Sequence, residues 1–212
     1  MPRVVCLHGL RRTPADWEPL RASLPAGWEV AAPRLPAAPR DALPVARAAL
    51  REDDAVVGHS MGAVLGLRLA AERPLGALVL SGSFFPPARN GRRTAESVLD
   101  YLGHRAALAR SLLRERPAGE RSPRSAGALG MLLSQAAGRR APEPIPSTPV
   151  VVVHARDDHH VPIAFAEAAV ARHPAWQLRV LDRGGHHAHV DEPGLWLSEV
   201  LPWLARPTGR AC

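Results

Sequence analysis

A serine between two glycines, a pair of adjacent carboxylates and a histidine-rich loop are the groups in this 212-residue chain whose types could do covalent chemistry. The serine is Ser60, in Gly58-His59-Ser60-Met61-Gly62. The carboxylates are Asp157 and Asp158, in the run HARDDHHVP over 154–162, and the histidine is His186, in Gly184-Gly185-His186-His187-Ala188-His189. A serine hydroxyl is nearly inert at its own pKa and needs a base within hydrogen-bond reach. A carboxylate behind that base fixes its tautomer and stabilises the imidazolium that forms. The order serine, acid, histidine is one of three unrelated orders in which such a set occurs. On residue type alone, either aspartate could be the acid.

Ser60 can serve only if the backbone thrusts it out of a strand-to-helix turn. The flanks are of that kind: an apolar run over 55–57 enters the turn, and an Ala/Leu-rich helical pattern over 63–70 leaves it. Gly58 and Gly62 are then required where a Cβ would collide with the adjoining helix and strand. The first helical turn offers unpaired N–H groups, Met61 among them, to negative charge developing on a substrate oxygen.

The other elements follow from periodicity and punctuation. Strands are expected at 3–7, 28–32, 75–80, 150–153 and 178–181, and helices at 13–24, 41–51, 162–172 and 192–204, with Pro202 a site for a bend in the last. Such alternation predicts a mostly parallel sheet covered on both faces, with sites at the carboxyl ends of its strands. Between 84 and 149 the alternation lapses. Helices are expected there at 94–113 and 125–137, followed by a proline-rich link over 141–149. The division is a core of 1–83 and 146–212 with a small helical cap at 84–145 emerging over the site.

All 27 basic residues are arginine, and the net charge is +7. Residues 89–140 hold 11 arginines against four acids, so the whole excess lies in the expected cap. It reads either as a solvated helical surface or as a cover that steers anionic substrates, including carboxylates and CoA- or carrier-protein-linked acyl groups. Nucleic acid is disfavoured, because few aromatics interleave the charges and Tyr101 is the only tyrosine. No apolar run reaches membrane-spanning length and the start lacks a signal-peptide pattern. Cys6 and Cys212 give no reason for a disulfide, so a reducing cytoplasm is expected. No cofactor is implied. The histidines show neither an H-x₃-H pair at helical spacing nor a cysteine cluster, so no metal is expected. Oligomeric state is left open.

With the stations His8-Gly9, GHSMG, DHHVP and Gly185-His186 in place, the chain resembles the alpha/beta hydrolase superfamily over nearly its whole length. The resemblance implies that fold, with the sheet beginning at what is usually its third strand. It selects Asp158 as the acid, three residues before Val161, and implies an oxyanion hole from the Met61 amide and one after His8-Gly9, namely Leu10, with Arg11 close by. His8 resembles the loop-stabilising histidine of the family, and His59 the packing histidine of the GHSxG form. Arg11, His59 and His187 are the candidate substrate contacts. The implied activity is a serine hydrolase cleaving esters or thioesters of small acyl substrates. The alternatives are a lyase or cyclase using the same residues on an anionic substrate, and a receptor-like binding protein. A narrower likeness, carried by LHGL, Ala15-Asp16-Trp17, GHSMG and Gly185-His186-x-x-His189-x-Asp191-x-Pro193, is to the pyruvate-eliminating branch of the menaquinone pathway.

Overall fold

Short runs of valine and leucine build a sheet buried on both sides, because alternate side chains along each strand meet different helix layers. The computed structural model describes residues 1–83, 85 and 147–206. Six strands lie in the order β2-β1-β3-β4-β5-β6. They are β1 (Arg3–Leu7), β2 (Glu29–Ala31), β3 (Ala55–His59), β4 (Ala77–Ser81), β5 (Val150–Ala155) and β6 (Gln177–Leu181). Every neighbouring pair is parallel. Each expected strand is therefore present.

Val5, Leu7, Val56, Leu78, Leu80, Val150 and Val152 face one core, with α2 (Pro39–Ala48), α3 (Met61–Glu72) and α4 (Ala164–Arg172) packed on it. Val4, Cys6, Val57, Val79, Val151 and Val153 face the other, covered by Trp17 and Leu20 and by Trp196, Val200 and Trp203. Leu20 lies on α1 (Glu18–Ser23), the continuation of a 3-10 turn at Pro14–Trp17, and the three later residues lie on α6 (Pro193–Leu204). Trp17 and Trp196 are almost fully buried, the largest apolar surfaces removed from water on that side.

Most element ends shift slightly from the sequence reading, with β4 at Ala77–Ser81, β5 at Val150–Ala155 and the first helix opening as a 3-10 turn, and two further differences have an identifiable setting. The helix expected over 41–51 runs Pro39–Ala48, since proline suits a first helical turn. The chain leaves helical form early because the next residues are claimed elsewhere. The Arg51 amide donates to Asp54 Oδ2 at 2.7 Å, and the buried Asp54 carboxylate also pairs with Arg3. The segment after β6, read as a loop, instead forms a 3-10 turn (Gly185–His187) and a short helix α5 (Ala188–Asp191). α6 continues through Pro202. The cap helices expected at 94–113 and 125–137, and the arginine-rich charge they carry, lie outside the described residues. Among those residues no helix is long and apolar enough to cross a membrane.

Candidate active site

Every candidate station emerges at the carboxyl edge of the sheet: residues 8–12 after β1, Ser60 after β3, Asp157 and Asp158 after β5, and residues 184–187 after β6. Ser60 has φ 51° and ψ −111°, backbone angles a non-glycine residue holds only when its surroundings impose them. The surroundings do. A Cβ on Gly58 would lie 2.5 Å from the Gly62 carbonyl oxygen, and one on Gly62 only 1.9 Å from the Leu7 carbonyl oxygen. The two glycines thus let α3 pack directly against β3 and β1 and force the turn between them. The Ser60 amide is tied to the Ser81 carbonyl at 3.0 Å, and Met61 opens α3 with its N–H at the positive end of the helix.

His186 Nδ1 lies 2.8 Å from Asp158 Oδ2. Asp158 is 4% exposed, and its other oxygen accepts the amides of His160 and Val161 at 2.8 Å each. Burial would raise the carboxyl pKa, but the hydrogen bond and charge of His186, together with the Val161 amide, hold it below the ordinary value. Asp157 does something different. Its oxygens accept the amides of Gly185 at 2.8 Å and Gly184 at 3.3 Å, so it steadies the loop that carries the imidazole. Both glycines have positive φ, which that loop requires.

His59 is 1% exposed; its Nε2–H donates to the His186 carbonyl at 2.9 Å, tying the elbow to the histidine loop across 127 residues of chain. Behind Ser81, Gly82 leaves room for His186: a Cβ there would lie 3.2 Å from its carbonyl oxygen and 3.3 Å from Nδ1. The residue before Ser60 and the one after its amide's partner therefore both bear on His186. Among the described residues no hydrogen bond joins the Ser60 hydroxyl to the imidazole; such bonds commonly tighten only with substrate bound.

His8 is buried and bridges two loops. The Leu35 amide donates to Nε2 at 2.9 Å, which fixes the proton on Nδ1, where it is donated to the Gly9 carbonyl at 2.9 Å. The turn that follows is closed by the Arg12 amide on the Gly9 carbonyl at 3.2 Å, with Leu10 half-buried and Arg11 exposed at φ 61°. Arg12 pairs with Asp16 at 2.6 Å. Of the three candidate substrate contacts, Arg11 is exposed, and His187 is half-buried with its ring 5.1 Å from that of His186. His59 is packed beneath the elbow, closed off from solvent, which corrects its reading as a substrate contact.

One contributor was not read from sequence. His154, the last-but-one residue of β5, is fully buried, donates from Nε2 to the Val161 carbonyl at 2.6 Å and lies 3.4 Å from Asp158 Oδ2. It backs the acid loop. The signal was a lone imidazole ending a strand of valines. Cys6, buried among apolar side chains with its thiol pKa pushed up by that burial, is core.

The profile of the Alpha/beta hydrolase family matches residues 4–200. The chain belongs to the alpha/beta hydrolase family. Solved structures of similar fold include a putative lipase from Acinetobacter baumannii AYE (TM-score 0.65, 17% identity, covering 96% of this chain and 83% of that one). They also include the esterase RhEst1 from Rhodococcus sp. ECU1013 (0.61, 21%, 96% and 90%). A third is the 2-hydroxy-6-oxo-6-phenylhexa-2,4-dienoate hydrolase from Rhodococcus sp. strain RHA1 (0.64, 20%, 97% and 91%). No curated protein matches the chain. The family match places the chain among hydrolases, and the neighbours share its fold.

This alpha/beta hydrolase keeps neutral imidazoles around His186. His59 is held well below its ordinary pKa by burial and then by its neighbours His189, His186 and His187, and His187 is lowered by burial and by His186. Neutral neighbours spare an imidazolium at His186 from like-charge repulsion. His189, 2% exposed, has neither ring nitrogen hydrogen-bonded among the described residues; it lies 4.9 Å from Trp17 and 4.3 Å from His59, centroid to centroid. Its pKa is pushed down to about 3, first by burial.

The stability consequence has a definite sign. A group neutral in the fold but protonated in the unfolded chain contributes fully above its unfolded pKa of about 6.5, and its contribution is lost as pH falls toward the folded value. His189 alone then costs about 2 kcal/mol at pH 5. His189→Phe, which keeps the ring contacts and removes the titration, is expected to recover about 4–8 °C of the wild-type loss in melting temperature between pH 7 and pH 5. An unchanged difference between the two pH values would contradict this origin.

Proposed function

We propose that the chain is a serine hydrolase that cleaves carboxylic esters or thioesters of small acyl substrates through an acyl-Ser60 intermediate. The observation that carries the reading is the His186 Nδ1 to Asp158 Oδ2 hydrogen bond of 2.8 Å. With Nδ1–H donating to the carboxylate, Nε2 is left as the acceptor a general base requires.

Ser60 Oγ attacks the acyl carbonyl as His186 Nε2 takes its proton, and the tetrahedral oxyanion is held by the amides of Met61 and Leu10. The carbon–oxygen or carbon–sulfur bond then breaks, and the imidazolium returns the proton to the departing alkoxide or thiolate. Water, deprotonated by the same imidazole, attacks the acyl-serine to release the acid and regenerate Ser60. The arginine excess at 89–140, where it is more than a solvated surface, would suit anionic and carrier-linked acyl groups among these substrates.

The test is labelling with a fluorophosphonate, the adduct mapped by mass spectrometry, followed by ester and thioester panels. A single adduct on Ser60 and acyl turnover are expected. No adduct would end the reading, and an adduct without turnover on any acyl compound would favour the elimination chemistry of the pyruvate-eliminating branch, a likeness that rests on sequence motifs alone.

The two aspartates separate in the same assay. Asp158→Asn keeps the shape but replaces the oxygen facing His186 Nδ1 with an N–H donor, which disfavours the catalytic tautomer, and is expected to lower kcat by about 10⁴-fold. Asp157→Asn, which touches only the loop amides, is expected to lower it less than about tenfold, because one amide oxygen can still accept from Gly185. Equal losses would remove the distinction between the two carboxylates.

A further inference from the structure

The imidazoles around His186 form a second constellation that acyl transfer does not use. Nitrogens of His59, His186 and His187 lie within 4.8 Å of one another, and the ring centroids are 4.9, 5.3 and 5.1 Å apart. A metal-binding imidazole almost always has its other N–H fixed by a carboxylate or a backbone carbonyl, which sets the tautomer and raises the basicity of the ligating nitrogen. Two of these three rings are already held in that way. His186 is fixed through Nδ1 by Asp158, leaving Nε2, and His59 through Nε2 by the His186 carbonyl, leaving Nδ1. The His59 Nδ1 atom is buried and has no hydrogen-bond partner among the described residues, a costly state that a ligand would relieve.

From this convergence of His59, His186 and His187 we propose a binding site for one borderline divalent metal ion of the zinc or copper type, whose occupation takes His186 out of catalysis. Three imidazoles suit Zn²⁺, Cu²⁺ and Ni²⁺ and offer nothing to Mg²⁺ or Ca²⁺. Zinc–nitrogen bonds of about 2.1 Å require ligand nitrogens about 3.4 Å apart, so the rings must rotate to bring their free nitrogens together on the ion. The chain holds a second grouping, Asp158, His160 and His186. It is the poorer one: both Asp158 oxygens already accept hydrogen bonds, and a metal there would displace the His186 bond. Sequence spacing did not reveal the preferred trio, because His59 is brought to His186 only by the fold. Since a metal on His186 removes the general base, the site would be a reversible off-switch, and that part rests on the hydrolase reading above.

The test is calorimetric titration of the EDTA-treated full chain with Zn²⁺, with Co²⁺ absorption as a second readout. One equivalent is expected to bind with a Kd in the micromolar range or below, and Mg²⁺ at millimolar concentration is expected not to compete. His187→Gln and His59→Gln are each expected to weaken binding at least tenfold, His160→Gln to leave it, and Ser60→Ala to bind as wild type. Zn²⁺ is expected to raise the melting temperature of the wild type but not of the His187→Gln chain, which keeps the test decisive if His59→Gln fails to fold. Fluorophosphonate labelling of Ser60 should fall at the same Zn²⁺ midpoint and return with EDTA. Binding weaker than millimolar, binding indifferent to His187→Gln, or binding lost in His160→Gln overturns the site. Tight binding to a chain that never labels would instead sink the hydrolase reading and leave the metal site standing.

Discussion

Ser60→Ala is expected to lower kcat/KM for any ester or thioester turned over by the wild type by about 10⁵-fold, close to the rate left by binding and the oxyanion hole alone. The reason is that, among the described residues, the other hydroxyls near this edge are buried, Ser83 fully so. The neighbouring hydroxyl of Ser81 is buried and accepts a hydrogen bond from Trp196 Nε1 at 3.0 Å, so it is spent on packing. Cys6 is sealed in the opposite core. The fold should tolerate the change well, since the elbow's backbone is imposed by Gly58, Gly62 and the Ser81 carbonyl rather than by the hydroxyl. Melting within a few degrees of wild type would accompany the lost activity. A variant that keeps more than about one-hundredth of the wild-type rate would show that acyl transfer does not run through residue 60.

Gly62→Ala is expected to be the most damaging glycine-to-alanine change among the described residues. The new carbon would fall 1.9 Å from the Leu7 carbonyl oxygen and 2.5 Å from its carbonyl carbon, and neither belongs to a side chain that can rotate away. Relief requires moving α3 off β1, which opens the core where Leu7, Val56 and Leu65 meet. The cost is expected at about 4 kcal/mol or more, enough to leave a domain of ordinary stability largely unfolded. Denaturant titration followed by circular dichroism reads it directly. Gly194→Ala is the matched control: nothing lies within 4 Å of its Cβ and it sits in the first turn of α6, so the same methyl should be neutral or mildly stabilising. Comparable destabilisation of both chains would show that close approach at the elbow is not what the glycine serves.

The fold was legible in the sequence because its determinants are local or periodic. Alternation of Val4 and Cys6 against Val5 and Leu7 specifies a strand buried on both sides, and GHSMG between an apolar run and an Ala/Leu helix specifies the turn. The order of elements then leaves a parallel sheet as the economical arrangement, and all six strands were found. Boundaries were less legible where a distant partner decides them. α2 stops at Ala48 because Asp54 is committed to Arg3, a contact no local pattern contains.

By itself, the sequence determined that a serine, a carboxylate and a histidine would stand at one edge of such a sheet, since each follows a strand and parallel strands all end on the same side. It could not divide labour by residue type alone between Asp157 and Asp158, adjacent and chemically identical, although the resemblance to the family pointed to Asp158. Only the tertiary structure turns one carboxylate onto the His186 imidazole and the other onto the Gly184 and Gly185 amides. Nor could it show that His59 reaches His186 across the sheet edge, or that His154 stands behind the acid. The first joins segments 127 residues apart and is set by how neighbouring strands register; the second spans only four residues, but depends on the loop after β5 bending back over the strand end, which residue types alone do not specify.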